Sequence, residues 1–187
     1  KIGEYAEVLL RQSVRLKRLL EDLVEASKAS SGNLDVVFSP CDASIFLEQA
    51  QGEYEEKLKE AKLELITSKP DHEVMIMADP RRMWRIFDNL MNNICKYALS
   101  GTRVYLSLEE DKEKAIITFK NTSRDALNIP AEELMERFVR GDSSRTTEGS
   151  GLGLSIAQSL AKLMGGSVRL TVDGDLFKAE VVLPMGK

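Results

Sequence analysis

Asn89, Asn93 and Lys96 fall at i, i+4 and i+7 within "DPRRMWRIFDNLMNNICKYAL", so a helix there carries them on one face. Ile86, Leu90 and Ile94 form a second row, suited to face a sheet. Two amides and an ammonium are an unusual choice for a plain solvated face, where Glu and Lys are commoner. Amide oxygens are neutral hard ligands for a magnesium ion whose charge phosphates already balance, and a lysine beside them can meet a phosphate oxygen. For this helix taken alone, an exposed polar face without a ligand is the competing reading.

The second stretch with chemistry in it is "EGSGLGLSIAQSLAKLMGG", Glu148–Gly166, with glycines at 149, 151 and 153 ahead of an apolar-periodic segment. Glycines before a helix let backbone N–H groups converge, and the helix start adds partial positive charge, so an anion is favoured there. Many glycine-rich loops are only turns. Here, however, "RGDSSRTTEG" precedes it without any hydrophobic pattern, as a segment that folds over a ligand would. Arg140 and Arg145 within that region bring positive charge toward a terminal phosphate.

These residues need elements to hold them. The chain has 187 residues, 43% of them hydrophobic and 30% charged, enough for one good core or one domain with an appendage. No apolar run is long enough for a membrane span. A net charge of −4 gives no electrostatic case for nucleic acid or an anionic membrane. Cys41 and Cys95 lack metal-type spacing and read as two reduced thiols. The single histidine, His72, follows Pro70 in a turn, so a zinc site or a Ser-His-Asp triad lacks parts.

The first 31 residues repeat Ile2, Leu9, Leu16 and Leu23 every seventh position, with Ala6, Ser13 and Leu20 beside them. That predicts a long amphipathic helix whose seam needs a partner helix, ended by "SSGN" at 30–33. From residue 34 the texture is α/β. Strands are predicted at 34–40, 62–67, 74–77, 102–111, 114–121, 167–172 and 177–184. Helices are predicted at 42–61, capped by Asp42 or Ser44, at 79–99, capped by Asp79 with Pro80 in the first turn, and at 151–164. A hairpin is expected around 110–112 and a short helix near 130–138. The sum is a two-layer α/β sandwich of α+β type, three helices on a mixed sheet, over 34–187, preceded by one long helix in 1–33.

The order of these motifs resembles sensor histidine kinases over nearly the whole chain. "DPRRMWRIFDNLMNNICKYA" is similar to their asparagine box, "LMERFVRGDSSR" to their phenylalanine box and "GSGLGLSIAQSLAKLMGG" to their second glycine box. "YAEVLLRQSVRLKRLLEDLVEAS" resembles the second helix of their dimerisation hairpin. The resemblance implies the Bergerat-type ATP-binding sandwich shared with gyrase, mismatch-repair and heat-shock-chaperone ATPases, with ATP and Mg2+ as cofactors. It implies that Asn93 holds magnesium with Asn89 as a second contact, and that Lys96 and Tyr97 touch the nucleotide. The backbone of Gly149, Gly151, Leu152, Gly153 and Leu154 would border the phosphates, with Arg140 and Arg145 on the lid near the γ-phosphate. The partners implied are a second copy through the N-terminal helix and a response regulator receiver domain. The implied place is the cytoplasmic portion of a sensor anchored by segments outside this chain.

Asn89 narrows the activity. The family's ATPase relatives have a glutamate four residues before the magnesium asparagine, where it activates water; an amide cannot act as a general base. Transfer to a protein histidine is therefore expected over hydrolysis, and that histidine belongs to a helix upstream of this chain. The adenine end departs from the family pattern. Asn121 stands where an aspartate is usual, in "FKNTSRDALNIP", with no glycine after it and Asp125 as a less well spaced substitute. Leu176 and Phe177 replace a Gly-Thr pair. These changes keep a second expectation open, a nucleotide-binding regulator with weak or no kinase activity.

Overall fold

The computed structural model describes residues 1–127, 130–133 and 152–186. One uninterrupted helix, α1 (Ile2–Ser30), comes first. Gly32 stops it at φ 73°, a left-handed backbone that glycine adopts without the Cβ clash other residues suffer. Its heptad row stands in solvent, with Ile2 and Leu9 88% and 68% exposed and Leu16 and Leu23 more than half exposed. The last turns reach the rest of the molecule through Ala26 and Ala29.

The strand expected over 34–40 forms only from its penultimate residue, as β1 (Ser39–Asp42). The backbone groups ahead of it are spent elsewhere: Val37 N–H donates to Asp79 Oδ2 at 2.9 Å, and the Asp35 carbonyl accepts from Arg82 Nη2 at 3.2 Å. The helix expected over 42–61 is divided into α2 (Ala43–Glu53) and α3 (Glu55–Glu60) at Tyr54. There the backbone leaves helical geometry where a buried ring is anchored by its hydroxyl, which donates to Asp88. Asp42 caps α2, accepting the Ser44 N–H at 3.0 Å and the Ser44 hydroxyl at 2.6 Å. β2 (Glu64–Ser68) begins two residues late because Lys62 sits at φ 55°.

β3 (Met75–Ala78) pairs antiparallel with β1 in a small sheet. The main sheet adds β4 (Arg103–Asp111), β5 (Lys114–Thr122), β6 (Ser167–Asp173) and β7 (Leu176–Pro184) in the order β2-β4-β5-β7-β6. β2 runs parallel to β4 and the remaining pairs are antiparallel, so the sheet is mixed as expected. The hairpin turns at Lys112, which takes φ 58°. Residues 131–133 are helical, and the rest of the helix expected near 130–138 lies outside the described residues.

Strand alternation sets the layers. Val104, Leu106 and Leu108 of β4, Ala115, Ile117 and Phe119 of β5, and Ala179, Val181 and Leu183 of β7 all point inward and are buried. Against that face pack α2, α4 (Pro80–Tyr97) and α5 (Gly153–Leu163). Phe87 of α4 meets Phe119 edge-on at 5.1 Å and Phe46 of α2 at 5.7 Å. Each such fully buried side chain contributes roughly 1.5–3 kcal/mol relative to exposure, so this aromatic contact is what fixes α4 over β5. The result is the expected two-layer sandwich with one long helix before it.

Candidate functional site

α4 forms where its sequence signals place it. Asp79, 1% exposed, accepts the Arg81 N–H at 3.0 Å and the Arg82 N–H at 3.5 Å, and Pro80 fills the first turn. Burial pushes the Asp79 carboxyl up, but the N–H groups of Val37, Arg81 and Arg82 outweigh it and hold the group below its usual value. Met83, Ile86, Phe87, Leu90, Met91 and Ile94 are buried, so the row of Ile86, Leu90 and Ile94 does face the core. That leaves Asn89, Asn93 and Lys96 half-buried along the flank of the helix.

Asn89 is the informative member. Its Nδ2 is shut off from solvent and has no hydrogen-bond partner among the described residues. An amide nitrogen left so costs about 1–3 kcal/mol, and none of the described residues recovers it. The neighbour is Gly153: a Cβ built there would stand 3.7 Å from Asn89 Cβ and Cγ. Gly153 is the first residue of α5, so α4 and the start of α5 meet at this amide.

The start of α5 differs from those of α2 and α4. Leu152 occupies the cap position and no side chain caps it, while Ser155 Oγ donates back to the Leu152 carbonyl at 2.9 Å. The first N–H groups of a helix lie outside its own ladder, and Gly153, the first residue of this one, is the residue set against Asn89. Leu154 is buried and anchors the turn. Gly149, Gly151, Arg140 and Arg145 lie outside the described residues.

At the far end of α4, Lys96 Nζ lies 5.8 Å from the Tyr97 ring centroid, and the Tyr97 carbonyl accepts the Arg124 N–H at 2.8 Å. Leu99 N–H donates to the Thr122 carbonyl at 2.8 Å, tying this end of the helix to β5. Asn121 therefore comes close to it in the fold. It is 3% exposed and continues the inward row of Ala115, Ile117 and Phe119. Phe177 pairs with it across β7 and is buried, whereas Leu176 is 39% exposed. Asp125 lies at the surface, 3.7 Å from Arg124. The fold takes Asn121 inside and leaves Asp125 outside.

The donor set fits a magnesium–triphosphate and fits a bare cation poorly. No group of three or more His, Cys, Asp or Glu is placed to hold a metal among the described residues. The amides of Asn89 and Asn93 bring no charge, which suits an ion whose charge arrives already balanced. His72 pairs with Glu110 at 2.7 Å on the surface, away from these elements, and both cysteines are free thiols. Burial raises the Cys41 and Cys95 thiols above their usual value, so they are protonated at neutral pH. The ion-pair cluster around Arg85, one turn before Asn89, had no sequence signal, because its partners lie some sixty positions away.

The family described as histidine kinase-, DNA gyrase B- and HSP90-like ATPases matches residues 78–186, which include α4, the glycine segment and Asn121. The signal transduction histidine-protein kinase BaeS of Escherichia coli K12 is 30% identical over 155 residues, covering 82% of this chain and 33% of that protein. The full-length ShkA structure in complex with AMPPNP superposes with a TM-score of 0.82, at 21% identity, over 99% of this chain and 39% of that one. Histidine kinase ThkA, solved in complex with response regulator protein TrrA, gives 0.72 at 16% identity over 100% and 52%. Both structures share the fold. The chain spans 27% of the sensor kinase WalK of Bacillus subtilis and 50% of the sensor VanSC of Enterococcus gallinarum, so relatives of this kind extend well beyond it.

Proposed function

Because the chain belongs to the family of histidine kinase-, DNA gyrase B- and HSP90-like ATPases, we propose that it is the ATP-binding catalytic region of a sensor histidine kinase. It would transfer the γ-phosphoryl group of ATP to a histidine carried on an upstream helix, for relay to a response regulator. The observation that carries this reading is the buried Nδ2 of Asn89, without a partner among the described residues, set against Gly153 at the start of α5. An amide donor beside a helix start suits a phosphate oxygen as its acceptor.

In this proposal Asn93 and Asn89 hold magnesium through their amide oxygens, and the N–H groups of Leu152, Gly153 and Leu154 border the phosphates. Gly149 and Gly151 extend that loop, and Arg140 and Arg145 serve the γ-phosphate from the lid. Lys96 and Tyr97 contact the nucleotide between its two ends, and Asn121 accepts from the adenine amino group. From Asn89 to Ala98 the helix advances about 14 Å at ~1.5 Å per residue, room for phosphates, sugar and base in a row. ATP with magnesium supplies the transferable group and neutralises its charge. The protein's own part is to fix the phosphates with neutral amides and backbone N–H groups, and to leave water without a general base.

The division at residue 33 is supported by the left-handed Gly32 and the irregular backbone up to β1. The exposed heptad row of α1 supports a homodimer through that helix. No helix among the described residues is long and apolar enough to cross a membrane. We place the chain in the cytoplasmic part of a larger sensor protein.

Asn93→Ala tests the assignment in the whole protein. Phosphorylation of the upstream histidine from ATP should fall at least about a hundredfold, the scale of losing a main transition-state contact; undiminished phosphorylation refutes it. Titration calorimetry with ATP and Mg2+ should show binding to the native protein and little to Asn93→Ala. The neutral Asn121 and the bulky Leu176 and Phe177 favour a second reading, a nucleotide-binding regulator without kinase output. Nucleotide binding with no phosphotransfer in the whole protein would select it.

A further inference from the structure

A cluster of charge that the site does not use bridges α1 and α4, beside the contact of α1 with α5. Arg85 Nε donates to Glu25 Oε2 at 2.9 Å, and Nη2 donates to Asp22 Oδ1 at 2.6 Å. The three side chains, Arg85, Glu25 and Asp22, are 28%, 17% and 23% exposed. Asp22 and Glu25 are three apart on α1, and the planar guanidinium spans them. Arg85 also continues the candidate site's own row on α4, at four residues before Asn89 and eight before Asn93.

We propose that Arg85 is a positioning residue, a latch that holds the ATP-binding domain at one setting against α1 through Asp22 and Glu25. Three features make it a latch that can open. The apolar share of the contact is small, since α1 gives the core only Ala29 with Ala26 against it, and its large apolar residues Leu20, Leu23 and Val24 are more than half exposed. The N–H groups of Ser31, Gly32 and Asn33 close on the last carbonyls of α1, and Asp35 and Val37 are anchored to the domain, so the pivot falls between Asn33 and Asp35. Finally, Asp88 Oδ2 already lies 3.8 Å from Arg85 Nη1. A guanidinium released by α1 keeps a partner on its own helix, so opening does not strand a charge, the event that makes most buried pairs hard to break.

The latch depends on the kinase reading only for its purpose, which is to set how the nucleotide site faces a helix lying beside α1. The test reads orientation directly and without nucleotide. In the whole protein with Cys41→Ser and Cys95→Ser, spin labels at Arg18→Cys and Glu109→Cys, diluted with unlabelled protein, report the α1-to-domain distance within one protomer. One narrow distance distribution is expected for the native latch and a distribution at least twice as broad for Arg85→Gln. Arg85→Lys should fall between them. The exchange Arg85→Glu with Glu25→Arg should restore the narrow distance. An unchanged distribution in Arg85→Gln overturns the proposal. Should Arg85→Gln fold poorly, Asp22→Asn with Glu25→Gln opens the latch from the α1 side and is read the same way. ATP affinity should stay within about twofold in the opened variants, and a loss of affinity would make Arg85 a nucleotide ligand and overturn the positioning role. Failure of the native protein to bind ATP would sink the nucleotide reading alone.

Discussion

Two helices side by side in the same layer begin in opposite ways. α4 starts at Asp79, whose buried carboxylate accepts from Val37, Arg81 and Arg82 and is fully spent on the fold. α5 starts at Leu152 with no side-chain cap bond among the described residues, next to an Asn89 Nδ2 that has no partner among them. The two starts lie at opposite ends of one antiparallel contact: the Asp79 N–H approaches Met164 Sδ just past the end of α5, at 3.4 Å, while Asn89 meets Gly153 at its beginning. Polar groups closed by the fold mark where the chain needs stability. A donor left open among the described residues is, in the proposed function, where the chain takes its ligand.

The sharpest way to test the closed end is Asp79→Ala. It removes a helix cap, worth about 1 kcal/mol, and leaves the Val37 N–H without its acceptor, at about 1–3 kcal/mol. A loss of about 3 kcal/mol in urea unfolding is expected; a loss below about 1 kcal/mol would mean the carboxylate is not closing that end. The sign of the pH effect follows from the same contacts. The folded Asp79 and Asp42 carboxyls both lie below their unfolded values. Their stabilisation is therefore present above the unfolded carboxylate pKa, about 3.9, and is lost as pH falls through the folded values. Stability of the native protein should drop on acidification below about pH 4, and Asp79→Ala should flatten part of that drop.

Asn89→Leu tests the open end, with effects of opposite sign on stability and binding. Removing an unpartnered buried amide should stabilise the nucleotide-free protein by about 1–2 kcal/mol, raising Tm by about 2–8 °C for a chain of this size. ATP affinity should fall about tenfold, close to one hydrogen bond to a charged group. A fall in both would show that Asn89 has a structural role, and the contrast between the two helix starts would collapse.

How much of this was legible in the sequence depended on how local the cause is. Asp79 with Pro80, the apolar row of α4 and the alternation in β4, β5 and β7 are set by neighbours a few residues apart, and the structure has them where expected. The irregular path of 34–38 was not legible, because its hydrogen bonds go to Asp79 and Arg82, more than forty residues on. Tyr54 divides a helix because Asp88, on α4, holds its hydroxyl. Lys62 at φ 55° is a backbone cost that no side-chain pattern announces. The candidate site shows the same split: the residue types on α4 and in the glycine segment were readable, but only the fold brings Asn89 to Gly153 and takes Asn121 inside while leaving Asp125 in solvent.

The remaining contrast is between the proposed phosphate end and the proposed adenine end, and Asn121→Asp addresses it. An aspartate there would accept from the adenine amino group with a full charge, a gain of about 1 kcal/mol over a neutral acceptor. ATP should bind about threefold to tenfold tighter, while inorganic tripolyphosphate, which has no base, should bind as it does to the native protein. The same carboxylate would sit at a position only 3% exposed, so desolvation should raise its pKa and lower the stability of the nucleotide-free protein. If ATP and tripolyphosphate lose affinity alike, the added charge acts through the general field and not on the base. If ATP alone loses affinity, the amide itself is the fitted acceptor, and the proposed adenine end is as specifically built as the proposed phosphate end.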